Sequence, residues 1–264
     1  MTTGARRPAI HYIVEGNETA PPVVLISGLG GDLRHWQALR LMLQDQYRVV
    51  SLDNRDSGLS ERGDGQYYVK DMADDVVDLL QKLGIDKAHV IGYSMGGAIA
   101  QELAIGRPQI VDKLILLATY DSTDARAQDL FRGFASLRRD LDRGDYLRLT
   151  LPWGYTYEEY EQPGLVEEVI AEAVNDPLYQ DNEAFARQME ATIAFHSRDR
   201  LHLIKSPTLL IFGDEDIMTP MRFANSMVAL IKNSKLFVIK GTGHLFMRTH
   251  FTEASEAITG FLDE

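Results

Sequence analysis

Three short segments of this chain carry side chains suited to nucleophilic chemistry. The first is Val90-Ile91-Gly92-Tyr93-Ser94-Met95-Gly96-Gly97, where a β-branched run enters Gly-x-Ser-x-Gly and continues with helical spacing. A solvated, relaxed serine hydroxyl is a weak nucleophile. Such a turn must therefore lift Ser94 clear of the strand, face it toward a base and set it at a helix start, where free N–H groups favour developing negative charge. Gly92 and Gly96 stand where so sharp a turn leaves no room for a Cβ, and Gly97 lets the helix lie close to the strand. The base must be neutral near physiological pH, which selects histidine. Of the 7 histidines, His244 has the right setting, in the loop Gly241-Thr242-Gly243-His244 between the last strand and the last helix. A third group must fix the imidazole tautomer. Candidates are Asp214, Glu215 and Asp216, in the turn Gly213 to Pro220, and Asp121, after an earlier strand. A phosphate-binding role for the serine turn is disfavoured: Gly28-Leu29-Gly30-Gly31-Asp32-Leu33 breaks the G-x-G-x-x-G fingerprint at its last position, and no G-x-x-x-x-G-K occurs.

These residues need strands that end at one edge and helices that hold the strands in register. Short aliphatic runs at Val23–Ile26, Arg48–Leu52, His89–Ile91, Lys113–Leu117, Thr208–Phe212 and Lys235–Ile239 read as strands, with His11–Val14 as an additional one. Between them, Val69–Leu83, Met95–Gly106, Phe223–Ile231 and Ala254–Leu262 have helical spacing. This alternation predicts an α/β fold, a mostly parallel sheet flanked by helices, with ligands at the C-terminal edge of the strands. From about Thr123 to Leu203 no strand is predicted, whereas acidic helical segments and aromatics are abundant. So long a structureless loop is improbable. The expected division is a core of residues 1–122 and 204–264 with a helical cap over 123–203. Trp36, Trp153, Tyr155, Phe195 and His196 are candidates for the substrate pocket beneath the cap.

Composition narrows the partners. With 27 Lys plus Arg against 39 Asp plus Glu, the net charge is −12, which disfavours nucleic acid and anionic membrane surfaces. The longest apolar runs, Leu114–Ala118 and Met227–Ile231, fall far short of the about 20 residues a membrane-spanning helix needs. The pair Arg6-Arg7 lacks an apolar segment behind it long enough for an export signal, so the expected compartment is the cytoplasm. With no cysteine there is no disulfide, thiol nucleophile or thiolate metal site. No H-E-x-x-H motif occurs either, and neither a metal nor an organic cofactor is expected.

Together these segments resemble those of α/β-hydrolase-fold enzymes with a helical cap, over essentially the whole chain. The matching stretches are Ser27-Gly28-Leu29-Gly30-Gly31, Asp53-Asn54-Arg55-Asp56-Ser57-Gly58-Leu59-Ser60, the Ser94 turn, Gly213 to Pro220, and Gly241 to His244, in the family's order. The resemblance implies that Asp216, in G-x-x-D-x-x-x-P, is the acid, and that the backbone N–H groups of Leu29 and Met95 form the oxyanion hole. It implies a serine hydrolase of carboxylic esters with small or apolar groups, including lactones, that uses water and an acyl-enzyme. Enol-lactonase, carbon–carbon hydrolase and perhydrolase activities of the same fold remain alternatives, as does a slow-turnover ligand-binding protein. Two positions depart from the family pattern: Ser27 stands where His is usual and Asp56 where Gly is usual. Both departures are expected to spare the chemistry, because the oxyanion donors are backbone groups and Asp56 lies in a structural turn. The oligomeric state is open between monomer and homodimer.

Overall fold

The computed structural model describes residues 7–264, so Arg6 and the start of the expected core lie outside the described residues. Seven strands, β1 (Tyr12–Glu15), β2 (Pro22–Ile26), β3 (Arg48–Leu52), β4 (Ala88–Tyr93), β5 (Val111–Leu117), β6 (Thr208–Gly213) and β7 (Ser234–Ile239), form one sheet in the order β1-β3-β2-β4-β5-β6-β7. β1 runs antiparallel to β3 and every other pairing is parallel. Helices α1 (Gln37–Leu43), α2 (Val69–Lys82) and α3 (Met95–Gly106) connect the strands up to β5. Five more, α4 (Ala125–Asp140), α5 (Arg143–Thr150), α6 (Tyr157–Tyr160), α7 (Leu165–Asn175) and α8 (Asn182–Ile193), lie between β5 and β6. They are followed by α9 (Met221–Leu230), α10 (Phe246–Thr249) and α11 (Phe251–Asp263).

The strands are apolar on both faces because helices cover both. Val24, Ile26, Leu114, Leu116, Leu210 and Phe212 pack with α2, α3 and α9 on one side, while Val23, Leu25, Ile115, Leu117, Leu209 and Ile211 pack with α1 and α11 on the other. This alternation is the two-residue period of a strand, and each fully buried large side chain contributes roughly 1.5–3 kcal/mol relative to exposure. Predicted strand and helix positions agree with the observed ones to within a few residues. Helix α1 was not foreseen; with 7 residues, of which Leu39, Arg40 and Leu43 are buried, it carries too short a repeat to stand out.

The helices inserted between β5 and β6 form a cap with apolar clusters of its own. Phe131, Phe134, Phe185, Met189 and Ile193 make one, and Leu151, Tyr155, Val166 and Ile170 another. Polar contacts tie α8 to the loop after β3. Arg187 grips the Asp56 carboxylate at 2.9 and 2.6 Å, and Gln188 Nε2 donates to the Arg55 carbonyl at 2.7 Å and to Ser57 Oγ at 2.9 Å. Asp56, fully buried with φ of 69°, also accepts from the Tyr67 hydroxyl at 2.6 Å. The turn in which Asp56 was expected is thus also the seam between cap and core.

Candidate active site

The C-terminal ends of β4, β6 and β7 bring the three sequence-selected side chains together. Ser94 follows β4 at the start of α3, with φ of 53° and ψ of −116°, a conformation costing about 1–3 kcal/mol for a residue with a Cβ. Its backbone is held on both sides: its N–H donates to the Leu117 carbonyl at 2.9 Å and its carbonyl accepts from Thr119 Oγ1 at 2.7 Å. The flanking glycines are sterically required. A Cβ on Gly92 would sit 2.3 Å from the Gly96 carbonyl oxygen, and one on Gly96 would sit 2.0 Å from that of Ile26.

His244 Nε2 lies 3.1 Å from Ser94 Oγ, and its Nδ1 lies 2.8 Å from Asp216 Oδ2. A carboxylate only accepts, so Nδ1 carries the proton and Nε2 presents its lone pair to the serine hydroxyl. Asp216 is buried, and its other partners are the Met218 and Thr219 N–H groups at 2.8 Å each and the Thr219 hydroxyl at 2.5 Å. Burial alone would raise its pKa. The His244 ring and the Thr219 donors outweigh burial and hold the carboxyl below its ordinary range. Asp214 turns away to pair with Lys240 at 3.2 Å and the Gly241 N–H at 2.8 Å. Glu215 is exposed, and Asp121 is held by Arg198 at 3.0 Å and Ser226 at 2.6 Å, with no bond to His244.

The loop carrying His244 is fixed from two directions. From the cap, the buried carboxylate of Glu159 accepts from the Thr156 N–H at 2.8 Å, the Gly243 N–H at 3.1 Å, and the hydroxyls of Thr242 and Thr249. Burial would raise its pKa too, and these donors reverse the effect and lower it. From the sheet, the Tyr93 hydroxyl donates to the His244 carbonyl. Burial, reinforced by the negative charges of Asp216 and Glu159, pushes the Tyr93 phenol well above its ordinary value and keeps it a neutral donor. Thr219 was foreseeable from the sequence, since an Asp with a Thr three residues later is a local capping pattern. Glu159 was not: its only local signal is the capping box with Thr156, and its tertiary partners lie over 80 residues away.

Met95 follows Ser94 directly, and Leu29 follows Gly28 in the loop after β2. Gly28 abuts Ser94 closely enough that a Cβ there would meet the serine Cβ at 3.2 Å. Met95 is the first residue of α3, so its N–H has no intrahelical acceptor, and the Leu29 N–H has no acceptor among the described residues. The Ser27 hydroxyl braces this loop by donating to the Asp32 carbonyl at 2.8 Å, and the Gly30 N–H donates to Gln188 Oε1 of the cap at 3.3 Å.

The five pocket candidates scatter. Trp153 joins Leu29 and Met218 in the cap cluster that reaches the serine and aspartate loops. Tyr155 packs in the second cap cluster with Leu245, and burial pushes its phenol up to about 12. Trp36 is buried in the core with its ring edge against Tyr93, and Phe195 is buried against Tyr120. His196 is on the surface, 3.1 Å from Asp199. Among the described residues no helix is long and apolar enough to cross a membrane.

Known proteins share both fold and sequence with this chain. It is 27% identical over 258 residues to the proposed carbamate hydrolase RutD of Serratia proteamaculans, covering 96% of each chain. Among solved structures, the enol-lactonase from Burkholderia xenovorans LB400 is similar with a TM-score of 0.88 and 25% identity, over 97% of each chain. A thermophilic esterase from Thermogutta terrifontis is similar with a TM-score of 0.85 and 27% identity, over 97% of this chain and 93% of that one. The model of the alpha/beta hydrolase fold matches residues 21–251. With that match across the sheet, the cap and the Ser94 and His244 loops, the chain belongs to the alpha/beta hydrolase fold family.

Proposed function

We propose that this hydrolase is a serine esterase, cleaving carboxylic esters and lactones through an acyl-enzyme. The observation that carries the reading is the unbroken relay from Ser94 Oγ through His244 to Asp216, at 3.1 and 2.8 Å. His244 takes the hydroxyl proton as Ser94 attacks the carbonyl carbon, and Asp216 stabilises the resulting imidazolium. The Leu29 and Met95 N–H groups, which have no acceptor among the described residues, receive the oxyanion. The imidazolium returns its proton to the departing alkoxide. Water then attacks the acyl-enzyme with His244 again as base, releasing a carboxylic acid.

The apolar part of the substrate would lie against the partly buried Leu29, Trp153 and Met218, which pack on Phe131, Phe134 and Met189. Relatives that act on a lactone and on esters favour the same substrate class. A fluorophosphonate should label wild-type protein at one residue, Ser94. Ser94→Ala should abolish both labelling and hydrolysis of p-nitrophenyl esters while leaving the thermal unfolding curve unchanged. Stoichiometric labelling with negligible turnover over a panel of esters and lactones would overturn the reading in favour of a ligand-binding protein.

A further inference from the structure

The cap contains a cavity of about 370 Å3 that the proposed reaction does not use; it is lined by Arg138, Leu141, Arg143, Tyr146, Tyr179 and neighbouring residues up to Asn182. Among the described residues three arginines are buried almost completely: Arg40, Arg55 and Arg138. Arg40 pairs with Glu15 at 2.9 Å and Arg55 with Asp75 at 2.6 Å. Arg138 has no carboxylate among the described residues. Its recorded bonds go to the Tyr179 hydroxyl at 2.8 Å and the Gln180 carbonyl at 2.6 Å, and its Nε has no partner. A buried guanidinium without an anion is unusual, because removing the charge from water is costly unless it is paired.

A second guanidinium stands close by. Arg143 stacks on the Tyr179 ring at 4.1 Å and Arg138 on the same ring at 4.3 Å. Arg143 donates to the carbonyls of Ala173, Val174 and Asp176; like Arg138, it bonds to no carboxylate among the described residues, and the Asp176 carboxylate interacts with it only through space. The one carboxylate in the lining, Asp181, is taken up by Arg62 at 2.9 Å and the Ala184 N–H at 2.8 Å. In a protein of charge −12, this cavity's lining holds two arginines and one aspartate, and neither arginine bonds to a carboxylate among the described residues.

We infer that this cavity is a binding site for a small organic carboxylate, with Arg138 and Arg143 supplying the charge and Tyr146 and Tyr179 its aromatic walls. A planar guanidinium matches a carboxylate, and the rings accommodate an apolar stem. The site is separate from Ser94 but linked to its neighbouring loop: Arg138 lies 4.2 Å from the centre of the Phe185 ring, and a Cβ on Gly30 would meet that ring at 3.7 Å. A carboxylate is also the class of product that ester or lactone hydrolysis releases, so an occupied site would sense product.

Binding is measured on the Ser94→Ala protein, which does not turn over, so the result is independent of the esterase reading. Hexanoate and acetate are titrated calorimetrically against chloride at matched ionic strength, with inorganic phosphate as a third arm. Saturable carboxylate binding is expected, with affinity lowered roughly tenfold or more by Arg143→Gln or Arg138→Met, as loss of a charged hydrogen bond implies. If Arg138→Met does not fold, Arg143→Gln and Tyr179→Leu, which removes an aromatic wall, carry the test, both checked by thermal unfolding. No saturable binding in the parent protein would overturn the proposal. So would carboxylate binding that these variants leave unchanged, since the ligand would then sit elsewhere, and so would binding of phosphate alone.

Discussion

At the residue scale, the site depends on how a few atoms are kept from competing partners. Asp216 Oδ1 accepts two backbone N–H groups, and Oδ2 accepts Thr219 and faces His244 Nδ1, so its lone pairs are engaged and its orientation is fixed. Asp216→Asn would keep the shape but could offer an N–H to Nδ1, favouring the tautomer that protonates Nε2. By analogy with that tautomer error in other serine hydrolases, kcat for p-nitrophenyl esters should fall by roughly 10⁴-fold with KM little changed. A loss below tenfold would show that Asp216 does not set the tautomer.

At the element scale, the His244 loop joins the edge strand β7 to α10, and the cap element α6 holds it through Glu159. Glu159→Gln leaves one acceptor oxygen where four donors converge. We expect kcat to fall by on the order of tenfold to a hundredfold as His244 loses its fixed position, with KM unchanged. Stability should change with pH in a defined sense. Glu159 and Asp216 are both held below their ordinary carboxylate values in the folded state, so the unfolded chain binds more protons as pH falls. Each therefore stabilises the fold above the ordinary carboxylate range, and that contribution is lost as pH drops through the folded value. Urea unfolding from about pH 5 to about pH 2 should show a shallower loss of stability in Glu159→Gln than in wild type. A parallel pair of curves would remove Glu159 from the account.

At the scale of the whole molecule, the question is what keeps the cap seated. Asp56 is fully buried and Arg187 covers it from α8. Arg187→Met would strand a buried carboxylate, and we expect a loss of roughly 2–4 kcal/mol in urea unfolding, allowing for the partial exposure of Arg187. The double variant Asp56→Gly with Arg187→Met should recover part of that loss, because it removes the stranded charge and puts glycine where φ is 69°. If the double variant is less stable than Arg187→Met alone, the seam depends on Asp56 for something other than this pair.

Much of this molecule is legible in its sequence because the signals are local. The Gly-x-Ser-x-Gly turn is forced by backbone atoms within a few residues or on the adjoining strand, so Gly92 and Gly96 announce it. The strands are short apolar runs covered on both faces, and the order of Ser94, Asp216 and His244 follows from the order of the strands that carry them. The acid was narrower than composition allowed: Asp214, Asp216 and Asp121 are all sensible in sequence, and the family spacing pointed to the one that meets His244. Tertiary structure alone decided the rest. Whether an aromatic lines the pocket or fills a core depends on which face of the fold it meets, which is why Trp153 lies with Leu29 while Trp36 and Phe195 are packed away. The links from Glu159 to the His244 loop and from Arg187 to Asp56 join segments more than 80 residues apart, and Arg138 and Arg143 share one ring only because Tyr179, from the segment between α7 and α8, packs against them. Local chain chemistry thus determined the reacting groups, and packing between distant segments determined what holds them, what surrounds them and what else the cap can bind.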